Sequence, residues 1–123
     1  MILNLTQHAA SAEQLAVGVV DLPPADKAHL VRLLTVDSLP SRAEIDDRCA
    51  DIATLASLHE PVALQAMIGG APWMMSALEG ALMDAGIEPI YAFSERDSVD
   101  QHQPDGSVRK VAVFRHVGFV PAR

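Results

Sequence analysis

The sequence predicts a small Rossmann-like α/β domain, mainly parallel sheet, with a C-terminal antiparallel β-hairpin. Three observations carry this prediction. Short apolar β-type runs alternate with helical segments that open on capping residues, from residue 2 to residue 93. Strand–helix–strand units of that kind pair in parallel through right-handed crossovers. The last stretch changes character: two extended segments flank Gln103-Pro104-Asp105-Gly106, where proline presets φ and glycine accepts a positive one.

Residues 2–6, ILNLT, are the first β-type run. Ser11-Ala12-Glu13-Gln14 follows as a capping box and predicts a short helix over 12–17, ended by Gly18. Val19 to Leu22 is either a short strand or an extended link into Pro23-Pro24. Ala28, Leu30, Val31, Leu33 and Leu34 then suit a helix from Pro24 to Leu34, with proline near its start. Asp37 to Pro40 is a break. Ser41-Arg42-Ala43-Glu44 is a second capping box. It opens the clearest helix, in which Ile45, Cys49, Ile52, Ala53, Leu55 and Ala56 recur at three- and four-residue steps to about Leu58. After Pro61, Val62 to Ile68 reads as a buried strand. Gly69-Gly70 then turns the chain into a helix from Pro72 to Ala85, with Gly86 where a left-handed glycine ends helices. Glu88 to Phe93 is a further strand, and Val99–His102 with Ser107–Phe114 is the hairpin. Its second arm does not alternate cleanly between apolar and polar.

At 123 residues the chain is one domain, 1–123, with 95–116 as a hairpin extension. Half of it is hydrophobic, enough for a core without staples. Nine basic residues against sixteen acidic ones give a net charge of −7. That argues against a duplex nucleic-acid binder, which needs a basic face, and against anionic membrane surfaces. A small anionic ligand held by backbone N–H groups remains compatible with it. The single cysteine, Cys49, reads as a small buried hydrophobe. MILNLTQHAAS lacks the basic start of a signal peptide, and no apolar stretch approaches ~18 residues. The expected location is cytoplasmic.

In an open parallel sheet, ligands bind outside the carboxyl ends of the strands. Three segments qualify: Thr6, Gln7 and His8 after the first strand; Gly69, Gly70 and Trp73 after the central one; Ser94, Glu95 and Arg96 after the next. On this reading they share one rim. The glycine turn fits either of two roles, an anion-contacting cradle or a tight connection. It is neither GxGxxG nor a Walker A loop. His8, beside Asn4 and Thr6, offers an acid, base or phosphate donor, or else bonds its own loop. Arg96 could clamp phosphate and Glu95 deprotonate a hydroxyl, or the two form a solvated pair. Arg115-His116, in VFRHVGF, marks an interface or a ligand edge, or else an edge strand with exposed charges. Trp73 fits base stacking, the core or a dimer contact. The methionine-rich helix 71–82 is apolar on more than one face, and the second face fits another copy of the chain. Histidines at 8, 29, 59, 102 and 116 are scattered, so no metal site and no cofactor are expected.

The opening strand ending in Asn4-Leu5-Thr6, then His8, then Ser11-x-x-Gln14, resembles small single-domain CRISPR-associated proteins of the ring-nuclease type. The later MIGGAPWMMSALEGALMDAGIEPIYAF follows their strand–turn–helix–strand layout. Gln7 separates Thr6 from His8, which that family tends to have adjacent. The resemblance implies a Rossmann-like homodimer binding a cyclic oligoadenylate across its twofold axis. It implies metal-independent cleavage by an adjacent ribose 2′-hydroxyl, with Thr6 and His8 at the phosphate or leaving oxygen, Gly69 and Gly70 donating, and Arg96 balancing charge. Thr6, His8 and Glu95 are therefore the candidate catalytic residues. Asn4, Gln7, Gly69, Gly70, Trp73, Ser94, Arg96, Arg115 and His116 are the candidate ligand contacts. A nucleotide-binding sensor without turnover and a dimeric interaction protein are the alternatives.

Overall fold

The computed structural model describes all 123 residues, Met1–Arg123. Its elements are β1 (Ile2–Asn4), α1 (Ala12–Ala16), β2 (Val19–Asp21), α2 (Pro24–Leu34), α3 (Arg42–Ser57), β3 (Gln65–Met67), α4 (Pro72–Asp84), β4 (Glu88–His102) and β5 (Val108–Pro121). They form one sheet in the order β2-β1-β3-β4-β5. The first three pairings are parallel and the last is antiparallel. The α/β fold with a C-terminal antiparallel pair is thus as the sequence predicts.

The helices begin where the local chemistry requires. Ser11 accepts from the Gln14 amide while Gln14 Oε1 accepts from the Ser11 amide, a complete capping box. Ser41 accepts from the Glu44 amide, but the Glu44 carboxylate turns to Arg48 one turn on, so this box is half made. α2 and α4 each carry proline in the first turn, and Gly86 follows α4 at φ +79°. The Arg48 guanidinium donates to the carbonyls of Arg32, Leu33 and Thr35, and so ties α3 to the exposed end of α2.

α2, α3 and α4 cover one face of the sheet, where Leu30, Ile52, Met74, Leu78 and Leu82 pack on Leu3, Leu5, Ala66 and Ile68. Cys49 is buried in this layer, and burial, reinforced by Asp46, raises its thiol pKa. The opposite face carries a smaller cluster of Ile2, Val19, Met67 and Ile90, backed by Ala10 and Phe119. α1 buries no residue.

Two elements differ from expectation. The buried strand expected over 62–68 is only Gln65–Met67, because its neighbour β1 offers three residues to pair with. Val62 and Leu64 are exposed. The strand expected over 88–93 does not stop there. β4 runs unbroken to His102, and β5 pairs back along it to Pro121, with an irregularity between Phe93 and Ser94. The first few residues of β4 and the last of β5 belong to the sheet. Beyond them the two strands form a ribbon paired only with itself.

Candidate functional site

The strand order reverses between β1 and β3: the chain leaves β1 for β2 on one side and returns to β3 on the other. The loops leaving the carboxyl ends of these two strands must therefore diverge and open a crevice. A cleft of ≈ 530 Å³ lies there. Thr6, Gln7, His8 and Ala9 form one wall, with Ser11 and Gln14 behind them. Gly69 and Gly70 face them, Met67 and Ile68 lie at the end of β3, and Tyr91 and Ala92 of β4 form the far side.

The wall after β1 is built on a fully buried amide. Asn4 is 0% exposed. Its Nδ2 donates to Asp21 Oδ1 and to the His8 carbonyl, both at 2.8 Å. Its Oδ1 accepts from the Thr6 amide at 2.9 Å and the Thr6 hydroxyl at 2.7 Å. Asp21 also accepts from the Ala10 amide at 3.1 Å. From α2, Lys27 Nζ reaches back to the carbonyls of Thr6 (2.5 Å) and His8 (3.1 Å). The loop's carbonyls are thereby drawn to Asn4 and Lys27. Its amides are left over: the N–H groups of Gln7, His8 and Ala9, like those of Gly69 and Gly70 opposite, have no acceptor within the chain. Unpaired backbone donors grouped on two facing loops suit an anionic or strongly accepting ligand.

Tyr91 closes the cleft toward α4. Its phenol donates to Glu79 Oε2 at 2.5 Å, and Arg123 approaches the other Glu79 oxygen at 3.6 Å. Burial first, then the Glu79 carboxylate, push the phenol pKa well above its ordinary value. An acid whose folded pKa is raised keeps its proton longer in the folded state. Its contribution to stability is therefore complete below the ordinary tyrosine range of ~10 and is lost as pH rises from there through the higher folded value. Tyr91 is the single tyrosine, so phenolate absorbance reads this residue alone. We expect its midpoint in the folded protein to lie above that of the urea-unfolded chain, and Tyr91→Phe to make the alkaline fall in stability shallower, leaving the share that the buried Cys49 thiol contributes. Equal midpoints would contradict the Glu79 contact.

The sequence-derived candidates divide sharply. Thr6, Gln7, His8, Gly69 and Gly70 come together, and Asn4 lies beneath them as a support with no free valence for a ligand. The Thr6 hydroxyl proton is engaged by Asn4, which leaves its oxygen as an acceptor. Ser94, Glu95 and Arg96 do not form a third rim loop; they lie inside β4, on the ribbon. Pairing with β5 keeps the chain extended there, and Glu95 is held by Arg115 at 2.7 Å. Arg115 also reaches Asp97 at 3.6 Å. His116 packs against Phe119 with the rings tilted 57° and their centroids 4.8 Å apart, and it is not among the residues that line the cleft. Trp73, 48% exposed, belongs neither to the core nor to the cleft lining.

Sequence reasoning missed Asp21, Lys27 and Tyr91. Asp21 and Tyr91 carried a signal, since both sit at or just past the carboxyl end of a parallel strand. Lys27 carried none, because its partners are loop carbonyls. No group of three or more His, Cys, Asp or Glu side chains converges anywhere in the chain. No helix is long and apolar enough to cross a membrane.

A family model matches residues 1–120, so it spans both the cleft and the ribbon. The chain belongs to the uncharacterized protein MJ1673 family. No curated protein and no solved structure matches it.

Proposed function

We propose that the cleft binds a small phosphate-bearing nucleotide, of the cyclic oligonucleotide class that the opening residues resemble. The observation that supports this is the pair of facing loops, each with unpaired amides, at the carboxyl ends of β1 and β3. The cleft's size suits one drug-sized ligand. A ring of several nucleotides exceeds it and would be shared between two copies.

Cleavage at such a site requires no redox partner. A ribose 2′-hydroxyl gives up its proton to water and attacks the neighbouring phosphorus, the bond to the 5′-oxygen breaks, and that oxygen takes a proton, leaving a 2′,3′-cyclic phosphate and a 5′-hydroxyl. His8 is the lining side chain suited to supply it, and the loop amides would stabilise charge on the phosphoryl oxygens. A second reading, binding without turnover, is favoured by the absence of any carboxylate among the lining residues. Glu95, expected as a base, lies on the ribbon in an ion pair.

Thermal unfolding with a panel of cyclic di-, tri-, tetra- and hexa-adenylates tests the binding. A ligand that recognises only the folded chain adds about 2.7 kcal/mol of stability at a hundredfold excess over its Kd. We expect one member to raise the midpoint, and a flat response across the panel would sink the proposal. Prolonged incubation with that member then separates the two readings. Turnover that His8→Ala abolishes, with binding retained, marks an enzyme; an intact ligand marks a sensor.

A further inference from the structure

Two of the unpaired amides on the cleft belong to peptide groups whose carbonyls are held by one cation. Lys27 Nζ, near the start of α2, donates to the carbonyls of Thr6 and His8. The Thr6 carbonyl shares its peptide group with the Gln7 N–H, and the His8 carbonyl shares its own with the Ala9 N–H. Both peptides are trans, since the single cis bond of the chain is Glu60-Pro61. In a trans peptide the C=O and the N–H point in opposite directions. A carbonyl fixed on Lys27 therefore turns its N–H the other way. Lys27 does not line the cleft, whereas Gln7 and Ala9 do, and neither of their amides has an acceptor. The Gln7–His8 peptide between them differs: its carbonyl meets no donor.

We propose that Lys27 is a positioning residue of the cleft, which aims the Gln7 and Ala9 amides at a bound anion and strengthens them as donors. A cationic donor polarises the carbonyl it meets, and a hydrogen-bonded peptide passes that polarisation on to its own N–H. The ammonium also keeps its charge: Lys27 is half-buried and stands in no ion pair. The other charge in this network, Asp21, accepts from Asn4 Nδ2 and from the Ala10 amide, so its opposing field falls first on donors already paired. No lysine, arginine or carboxylate lines the cleft, so its positive field comes from amides backed by a cation that the ligand does not touch. The inference rests on the reading that the cleft binds an anion, and it adds the residue that prepares the loop for one.

The partners of each carbonyl rank the amides. The Thr6 carbonyl has Lys27 alone, while the His8 carbonyl also accepts from Asn4 Nδ2 and the Thr6 hydroxyl. Loss of the ammonium should therefore weaken the Gln7 amide most, Ala9 less and His8 least.

Amide proton–nitrogen spectra of the ligand-free full chain test this, at one pH so that His8 contributes equally throughout. In Lys27→Met we expect upfield shifts in that order, and in Lys27→Arg, which restores a cationic donor, a return toward wild type. Were Lys27→Met to lose its fold, Lys27→Gln gives the same comparison with a neutral donor. Titration with inorganic phosphate then reads the consequence: its Kd should rise about fivefold or more in Lys27→Met and recover in Lys27→Arg. Equal shifts at all three amides would overturn the proposal, because the loop would merely have loosened. So would ordered shifts with phosphate affinity unchanged. A wild-type chain whose loop amides ignore phosphate would sink the anion reading itself, and with it the role of Lys27, even where the order of shifts holds.

Discussion

Replacing Asn4 with alanine is expected to cost the fold about 3 kcal/mol and to release the Thr6–Ala10 loop. The side chain is fully buried and uses both donors and its acceptor oxygen. The losses are unequal. The Thr6 amide loses its acceptor, while the Thr6 hydroxyl keeps the His8 carbonyl at 3.1 Å. The Asp21 carboxylate loses a 2.8 Å donor and keeps only the Ala10 amide. The His8 carbonyl fares best, since Lys27 still reaches it. One orphaned donor and one half-solvated charge, each worth ~1–3 kcal/mol, outweigh the small gain from freeing an asparagine side chain. In a domain of this size that is roughly 10 °C in Tm. Urea unfolding gives the free energy, and hydrogen exchange of the Gln7–Ala9 amides gives the loop. A loss under about 1 kcal/mol would mean that water replaces the amide, and that the wall of the cleft is not built on Asn4.

The same network shows why the site was only partly legible in the sequence. The rule that ligands gather at the carboxyl ends of parallel strands anticipated that Thr6, Gln7, His8, Gly69 and Gly70 share one cleft, because it follows from topology and needs no tertiary detail. It failed for Ser94, Glu95 and Arg96 because it presumes that the chain turns when the sheet ends. The sheet does end near Phe93, but β4 continues with β5 as its sole partner. Ser-Glu-Arg-Asp-Ser is polar at every step, and a ribbon with no layer over either face imposes no apolar alternation. The period-2 signal that identifies strands therefore vanishes where this strand is longest. Lys27 was unreadable for another reason. It acts 21 residues back in the chain on Thr6, through a carbonyl every residue possesses.

The fold was easier because its signals are local. Proline in the first turn fixed the start of α2, and Ser41 fixed that of α3. The spacing of Ile45, Cys49, Ile52 and Ala56 gave the buried face of α3 without reference to what it packs on. The extent of β3 was not local. Val62 and Leu64 have strand-like chemistry, but β1 gives them nothing to pair with, so they remain outside the ladder.

Gly69→Ala and Gly70→Ala are expected to part company, and the difference decides what the glycine turn is for. Gly70 has a conformational reason to be glycine. Its φ is +154°, and an added Cβ would sit 3.3 Å from Met75 Cε. Alanine there should cost about 1–3 kcal/mol of stability through backbone strain. Gly69 has no such reason. Its φ lies outside the glycine region, and an added Cβ would meet Thr6 Cγ2 at 3.6 Å, an ordinary contact. Gly69→Ala should therefore leave stability within about 0.5 kcal/mol of wild type. The new methyl group, however, stands between the two facing loops, where a bound ligand must approach the backbone. Ligand affinity should fall at least tenfold, equivalent to about 1.4 kcal/mol. Thermal unfolding of both variants, with and without the ligand found in the nucleotide panel, reads both quantities. A Gly69→Ala protein that is stable and binds as wild type would reduce the turn to a connector and remove the cradle from the proposed site. A stable variant that no longer binds would mean that Gly69 keeps the cleft open, a role that neither backbone strain nor packing accounts for.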